Sequence, residues 1–112
     1  MKKVVFFAFK DDALCFNHLL LNAINLKENG HEALIVFEGE AVKLPKEFQE
    51  KDHPLFKKAD EMGLLDCICK ACSQQMGVLE YNETCGIPLK GDMKGHPSMR
   101  QYIENGYEVI TL

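Results

Sequence analysis

Three of the five cysteines in this chain lie within six positions, at Cys67, Cys69 and Cys72. Cysteines clustered in this way can hold a metal ion, form a disulfide, carry sulfur as a persulfide, or simply pack in a core. An odd total argues against a fully paired disulfide framework. In a reducing compartment, clustered cysteines are more often catalytic or metal-binding than structural. The secondary structure around each thiol decides between these uses.

The hydrophobic pattern predicts strands that alternate with helices. Continuous apolar runs such as VVFFAF are typical of strands buried on both faces, and helical spacing ended by glycine marks the helices between them. The predicted strands are residues 4–9, 31–36, 64–69, 87–90 and 107–112. The predicted helices are residues 13–28, 54–62, 73–80 and 98–104, with an irregular stretch at 39–52. This alternation predicts one domain over residues 1–112, a three-layer α/β/α sandwich with a mostly parallel sheet of about five strands.

Cys69 and Cys72 are predicted where a parallel sheet gathers its functional groups. Cys69 ends the third strand, and Cys72 lies in the turn or the first turn of the following helix. Unpaired backbone N–H groups and the helix dipole favour a thiolate there, so we expect a thiol pKa below the free value of about 8.5. The sequence therefore predicts that these two cysteines are partly exposed nucleophiles.

Cys67 and Cys15 are interpreted as packing residues. Cys67 lies two positions before Cys69, so both side chains are expected on one face of the strand, with Cys67 further back beneath the covering helices. Cys15 lies within an apolar helix. For each, the simplest role is that of a small buried hydrophobic side chain.

Metal binding is the main alternative for the cluster. A tetrahedral zinc ion holds its sulfur ligands only about 3.8 Å apart, whereas side chains at i and i+2 of a strand lie about 6.6 Å apart. Cys67 and Cys69 therefore cannot share one ion. Cys69, Cys72 and Cys85 could form a three-thiolate site for zinc or an iron–sulfur centre, with His96 as a distant fourth ligand. The spacing Cys69-x-x-Cys72 is common to zinc, iron–sulfur and redox sites, and no second such pair strengthens it.

Two histidines and a third thiol are accessory candidates. His96 lies in the loop before the last predicted helix, on the same edge of the sheet as Cys69. His18 lies on the first predicted helix and could face the cysteines. Cys85 lies in a turn before Gly86, where it is either a third thiol near the site or incidental to it.

The composition excludes two classes of partner. The net charge is −4 and Arg100 is the single arginine, so the chain lacks the basic stripe that a nucleic-acid backbone requires. No segment approaches the ~20 apolar residues of a membrane helix. The apolar run at residues 4–9 is too short for a secretion signal, and no small-residue cleavage site follows it. We therefore expect a cytoplasmic protein, intact at its N-terminus, with no nucleic-acid or membrane partner.

The sequence also resembles the DsrE/DsrF-like family of small cytoplasmic sulfur-relay proteins, which includes the Tus subunits of tRNA thiolation and the Dsr proteins of sulfur oxidation. The resemblance rests on the order of the elements, on GLLDCICKACSQQMG and on the tail GHPSMRQYIENGYEVITL, and it spans nearly the whole chain. Family members carry a cysteine at the end of the third strand and a glycine eight positions later within the next helix, as Cys69 and Gly77 do here. Some carry a second cysteine in the place of Cys72.

This resemblance implies a persulfide mechanism without a cofactor. A donor protein would pass sulfane sulfur to Cys69, which would hand it to an acceptor protein, and Cys72 would be a resolving or second thiol. Many relatives have arginine just before the glycine, where this chain has Gln75 and Met76, so a positive charge for an anionic sulfur carrier is absent here. Whether sulfur transfer is retained stays open at this point, and a metal-binding protein or a non-catalytic oligomeric domain are the competing functions.

The resemblance also implies an oligomer. Family members form trimers or hexamers, or hetero-oligomers of related subunits. The first predicted helix is apolar over more than one helical stripe, which is explained either by burial deep in the core or by a core face together with a subunit contact.

Overall fold

The sheet has five strands that all run parallel. The computed structural model describes residues 1–112. The strands are β1 Lys3–Ala8, β2 Glu32–Phe37, β3 Leu65–Cys69, β4 Leu89–Lys90 and β5 Glu108–Thr111. Their order across the sheet is β4-β3-β2-β1-β5. Since parallel neighbours need crossover connections, helices return the chain between the strands, and the predicted α/β/α fold is confirmed.

Six α-helices and one short 3₁₀ helix make these connections. They are α1 Ala13–Glu28, the 3₁₀ helix Gly39–Lys43, α2 Leu44–Glu50, α3 Pro54–Glu61, α4 Lys70–Gln75, α5 Leu79–Glu83 and α6 Arg100–Glu104. Helix α1 spans the residues predicted for it because Asp12 caps it, its carboxylate accepting the Cys15 backbone N–H at 3.0 Å. None of the helices combines the length and the apolar character that crossing a bilayer requires.

The core has two parts, one on each face of the sheet. Side chains of a strand alternate between its faces. On β1, Val4 and Phe6 join the larger cluster beneath α1, α2 and α3, whereas Val5 and Phe7 join a smaller cluster closed by Tyr102 of α6. Because both faces are covered, the central strands are continuous apolar runs rather than alternating ones.

Two segments differ from the sequence-based prediction. Residues 39–52, expected to be irregular, contain the 3₁₀ helix and α2. Pro45 does not interrupt them because it stands in the first turn of α2, where its missing N–H needs no partner. The helix predicted at 73–80 is two helices, α4 and α5. Gly77 lies between them with φ of 73°, a left-handed conformation that ends α4.

Three chain segments meet at the carboxyl edge of the sheet. Phe37 of β2 pairs with Ile68 of β3, which pairs with Leu89 of β4, so these strands end side by side. The segments that follow them are Glu38, the start of α4, and the loop at residues 91–99. In a parallel sheet this edge is where groups distant in sequence come together.

Candidate functional site

Glu38, Cys69, Cys72 and His96 converge at this edge, with one ligand-type atom of each within 4.8 Å of the others. The His96 Nδ1 lies 3.1 Å from the Cys69 Sγ and 3.6 Å from the Cys72 Sγ. The same nitrogen lies 3.3 Å from the Glu38 Oε1. The first three residues are buried, whereas the His96 side chain is 36% exposed. The group is therefore a buried cluster that reaches solvent at the imidazole.

The start of α4 positions both thiols. Cys69 is the N-cap residue of α4, and its Sγ accepts the backbone N–H of Cys72 at 3.4 Å. Cys69 packs with the larger core cluster and Cys67 with the smaller one. The expectation that Cys67 and Cys69 share a face is wrong, because the chain turns out of β3 at Cys69.

A tight turn presents His96 to the thiols. Met93 and His96 exchange backbone hydrogen bonds of 2.7 and 2.9 Å. The two residues between them, Lys94 and Gly95, have φ of 50° and 96°, and positive φ at both central positions is typical of a type I′ turn. The Gly95 carbonyl accepts the Ala71 backbone N–H at 2.8 Å, which fastens the turn to α4.

A buried hydrogen-bond network holds α4 in place. The Ser73 Oγ donates to the Cys69 carbonyl at 2.7 Å. The Asn82 Nδ2 donates to the Ser73 Oγ and to the Val42 carbonyl, each at 3.0 Å. Ser73 and Asn82 are fully buried, where an unpaired polar group is costly, and these bonds satisfy the Ser73 hydroxyl and the Asn82 amide nitrogen but not the Asn82 Oδ1. The network thus connects α5 and the 3₁₀ helix to the segment that carries Cys69 and Cys72.

Burial keeps the Cys69 thiol protonated. The loss of water raises the pKa of Cys69 to about 12, and the hydrogen bond from the Cys72 N–H, which lowers it, does not offset this. The expectation of a depressed pKa is therefore wrong for Cys69, and the expectation of a partly exposed thiol is wrong for both Cys69 and Cys72, which are buried. Burial also raises the pKa of the Glu38 carboxyl, against the opposing hydrogen bond with His96. At neutral pH Cys69 needs a base to become a nucleophile, and the His96 Nδ1 is within reach.

The other accessory candidates lie elsewhere. The Cys85 Sγ donates to the Asn82 carbonyl at 3.4 Å, and Cys85 is not part of the converging group. His18 is exposed on α1 and is not part of it either. Of the residues singled out from the sequence, the structure brings Cys69, Cys72 and His96 together.

The two cysteines assigned to packing differ. Cys67 is fully buried, and its Sγ lies 3.4 Å from the Tyr102 hydroxyl, which donates its proton to Asp66. Burial raises the pKa of Cys67 to about 11, so this thiol is a packing residue. Cys15 is exposed, and its predicted burial is wrong because α1 turns Phe16 and Leu20, not Cys15, toward the sheet.

Sequence reasoning missed Glu38. Its signal was its position, since it is the first residue after β2 and β2 lies beside β3. A glutamate that directly follows an apolar strand of a parallel sheet lies at the edge where functional groups gather. The strand order was needed to connect Glu38 with Cys69.

Gln75, Met76 and Gly77 lie at the opposite end of α4 from Cys69. All three are exposed, with Gly77 directly after the C-cap residue Met76. None of these three side chains carries a charge, and the charged side chains beside Gly77 are those of Lys46 and Glu80, which line the same groove.

Comparison with known proteins gives a family and two archaeal relatives. The sequence matches the family model described as the DsrE/DsrF-like family over residues 3–112. It is 38% identical over 96 residues to the uncharacterized protein MJ0733 of Methanocaldococcus jannaschii, which covers 85% of this chain and 78% of that protein. It is 39% identical over 49 residues to an uncharacterized protein of Archaeoglobus fulgidus, covering 44% of this chain and 80% of that protein. No solved structure matches the chain significantly.

Proposed function

Because the chain belongs to the DsrE/DsrF-like family, we propose that it is a sulfur carrier that holds sulfane sulfur on Cys69 as a persulfide and relays it to a partner. The observation that carries this proposal is the distance of 3.1 Å between the Cys69 Sγ and the His96 Nδ1. A thiol that burial keeps protonated reacts only when a base removes its proton, and a neutral imidazole at hydrogen-bond distance is such a base.

Loading begins from the His96 tautomer whose Nδ1 carries no proton and therefore does not donate to Glu38, and the Cys69 proton passes to that nitrogen. The Cys69 thiolate then attacks the outer sulfur of a donor persulfide, R–S–SH. The new Cys69–sulfur bond forms as the donor S–S bond breaks, and the donor leaves as the thiolate R–S⁻, which the imidazolium can reprotonate. One sulfur atom changes carrier, and no external oxidant or reductant is consumed.

Unloading can follow two routes that use thiol exchange. An acceptor thiolate that attacks the outer sulfur takes the sulfane sulfur and regenerates the Cys69 thiolate. Alternatively, the Cys72 thiolate attacks the inner sulfur, which forms a Cys69–Cys72 disulfide and releases hydrosulfide. The position of Cys72 beside Cys69, with both sulfurs near the His96 Nδ1, supports its role as the resolving or second thiol.

Protein partners follow from the chemistry of a persulfide. The carrier needs a donor and an acceptor protein that can reach the cluster from the side of His96, which is its exposed member. We propose cytoplasmic protein partners and a homo-oligomer or a hetero-oligomer of related subunits.

The test is intact-mass spectrometry of metal-free protein incubated with a persulfide donor. A Cys15→Ser background removes the exposed thiol, which could react without specificity. In that background we expect a gain of one sulfur atom that a reductant reverses, and peptide mapping should locate it on Cys69. Cys69→Ser should abolish the gain.

Two further variants make the experiment selective. Cys85→Ser is the matched control, because Cys85 is a half-buried thiol outside the cluster, and it should load like the parent. Cys72→Ser should load but should fail to release hydrosulfide. A parent that gains no sulfur, or that gains it equally after Cys69→Ser, contradicts the proposal and favours a non-catalytic domain.

A further inference from the structure

We propose that Glu38, Cys69, Cys72 and His96 form a binding site for one zinc ion. The inference rests on the geometry of the four side chains and does not require that the protein transfer sulfur. It differs from the site expected from the sequence, since the Glu38 carboxylate stands in place of Cys85 while His96 remains the fourth ligand.

The distances from the His96 Nδ1 to the other three ligand atoms are close to those around a tetrahedral ion. Zinc bonds of about 2.0–2.3 Å to oxygen, nitrogen and sulfur place neighbouring ligand atoms roughly 3.3–3.8 Å apart. The His96 Nδ1 lies 3.1 Å and 3.6 Å from the two sulfurs and 3.3 Å from the Glu38 Oε1. No pair in the group exceeds 4.8 Å. Since the largest tetrahedral separation is about 3.8 Å, side-chain shifts of roughly 1 Å would complete the coordination.

The burial of Glu38 independently points to a cation. Glu38 is only 8% exposed, and its carboxylate faces the His96 ring rather than a lysine or an arginine. A carboxylate removed from water is costly unless a positive charge compensates it. A divalent ion at the centre of the group would supply that charge.

The set of donor atoms selects the kind of metal. Two thiolates favour zinc or another soft ion over magnesium and calcium, which prefer oxygen ligands. One imidazole and one carboxylate added to two thiolates are ligand types that zinc accepts in a closed four-coordinate site. Binding would release the thiol protons of Cys69 and Cys72 to solvent.

The surroundings of the group are already those of a fixed metal site. The Cys72 N–H donates to the Cys69 Sγ, and the turn through Gly95 holds His96 against α4. Such outer contacts orient ligands before the ion arrives. The exposed part of the His96 ring marks the path by which an ion can enter.

The experiment is a titration of the full, metal-free chain with Co²⁺, a visible probe of tetrahedral thiolate sites, followed by displacement with Zn²⁺. We expect one ion per chain, absorption bands from sulfur-to-cobalt charge transfer, and loss of those bands when zinc is added. Native mass spectrometry with zinc alone should give the same stoichiometry without any variant.

Variants of the two ligands that are not thiols then test the assignment. Glu38→Gln and His96→Ala should each weaken zinc affinity by at least about a hundredfold, since even outer-contact changes at metal sites cost 10–100-fold. His18→Ala and Cys85→Ser should leave it unchanged, because both residues lie outside the group. Circular dichroism establishes that each variant is folded.

Two results overturn the inference. One is the absence of any cobalt band or bound zinc in the parent chain. The other is zinc affinity that survives Glu38→Gln and His96→Ala, which would mean a two-thiol contact and not a built site. Since sulfur loading is measured on metal-free protein, failure here is distinguishable from failure of the proposed sulfur transfer.

Discussion

At the scale of single residues, burial and the nearby base act on Cys69 in opposite directions. Burial raises the pKa of the thiol to about 12, which suppresses the thiolate at neutral pH. The His96 Nδ1 lies 3.1 Å from the Cys69 Sγ, so it is placed to accept the thiol proton. If Cys69 carries sulfur as proposed, we expect it to react slowly with small reagents and to depend on His96 for persulfide formation.

The replacement His96→Ala should slow persulfide formation on Cys69 at pH 7 by about a hundredfold, the lower end of what a positioned base contributes. The deficit should shrink as pH rises from 7 toward 10, because hydroxide replaces the base while the pH approaches the raised pKa of Cys69. Stopped loading reactions analysed by mass spectrometry give these rates on metal-free protein.

His18→Ala is the control for this pH profile, since His18 is exposed on α1 and outside the cluster. It should load at the parent rate at every pH. A His96→Ala deficit that is constant between pH 7 and pH 10 would falsify the role of His96 as a base and leave it a purely structural one.

At the scale of elements, the site is the meeting point of the end of β2, the start of α4 and the turn before α6. The tightest contact among them is at Gly95, whose φ is 96° and whose added Cβ would lie 2.9 Å from the Ala71 Cβ on α4. A side chain at this position must move the turn or the helix. Either movement separates His96 from the thiols.

Gly95→Ala should therefore be more damaging than Gly86→Ala. Gly86 has the same φ of 96° but no atom within 4 Å of an added Cβ, so it reports the backbone strain alone. We expect roughly 1–2 kcal/mol of destabilisation for Gly86→Ala and about 1–3 kcal/mol more for Gly95→Ala from overpacking. Urea denaturation measures the free energy of unfolding of both variants. Equal losses would mean that α4 moves away from the new side chain without loss of stability.

At the scale of the whole molecule, the outer side of α1 exposes two large apolar side chains. Leu14 and Leu21 are 70% and 47% exposed, and they lie on one side of α1 because they are two helical turns apart. The opposite side of the helix is buried against the sheet. The helix is therefore not buried on all sides, and a subunit contact through Leu14 and Leu21 remains a prediction.

A double variant, Leu14→Gln with Leu21→Gln, should weaken self-association by at least about a hundredfold, since burying each leucine contributes about 1.5–3 kcal/mol. Sedimentation velocity should then show a trimer or hexamer for the parent chain and smaller species for the variant. Ile103→Gln is the control, because Ile103 is 59% exposed on α6 and away from α1. A parent chain that sediments as a monomer contradicts the expected oligomer.

Local signals determined the fold. Apolar runs, the Asp12 cap and the helical spacing of α1 predicted the strands and the first helix closely, because each depends on neighbours in sequence. The same signals placed Cys69 at the end of a strand, and the rule that functional groups gather there selected Cys69, Cys72 and His96. They were wrong at Pro45, because proline is found both in loops and in the first turn of a helix, and at Gly77, because glycine can either continue a helix or end it.

By itself, the sequence determined an α/β/α domain of the DsrE/DsrF-like family with a cysteine at the critical strand end. Only the tertiary structure decided that Glu38 joins the cluster, that Cys85 and His18 stay outside it, that Cys15 is exposed, and that the Cys69 thiol is protonated. The reason is physical. Strand order and exclusion of water are properties of residues distant in the chain, so no local pattern encodes which carboxylate meets a thiol or how much water remains around it.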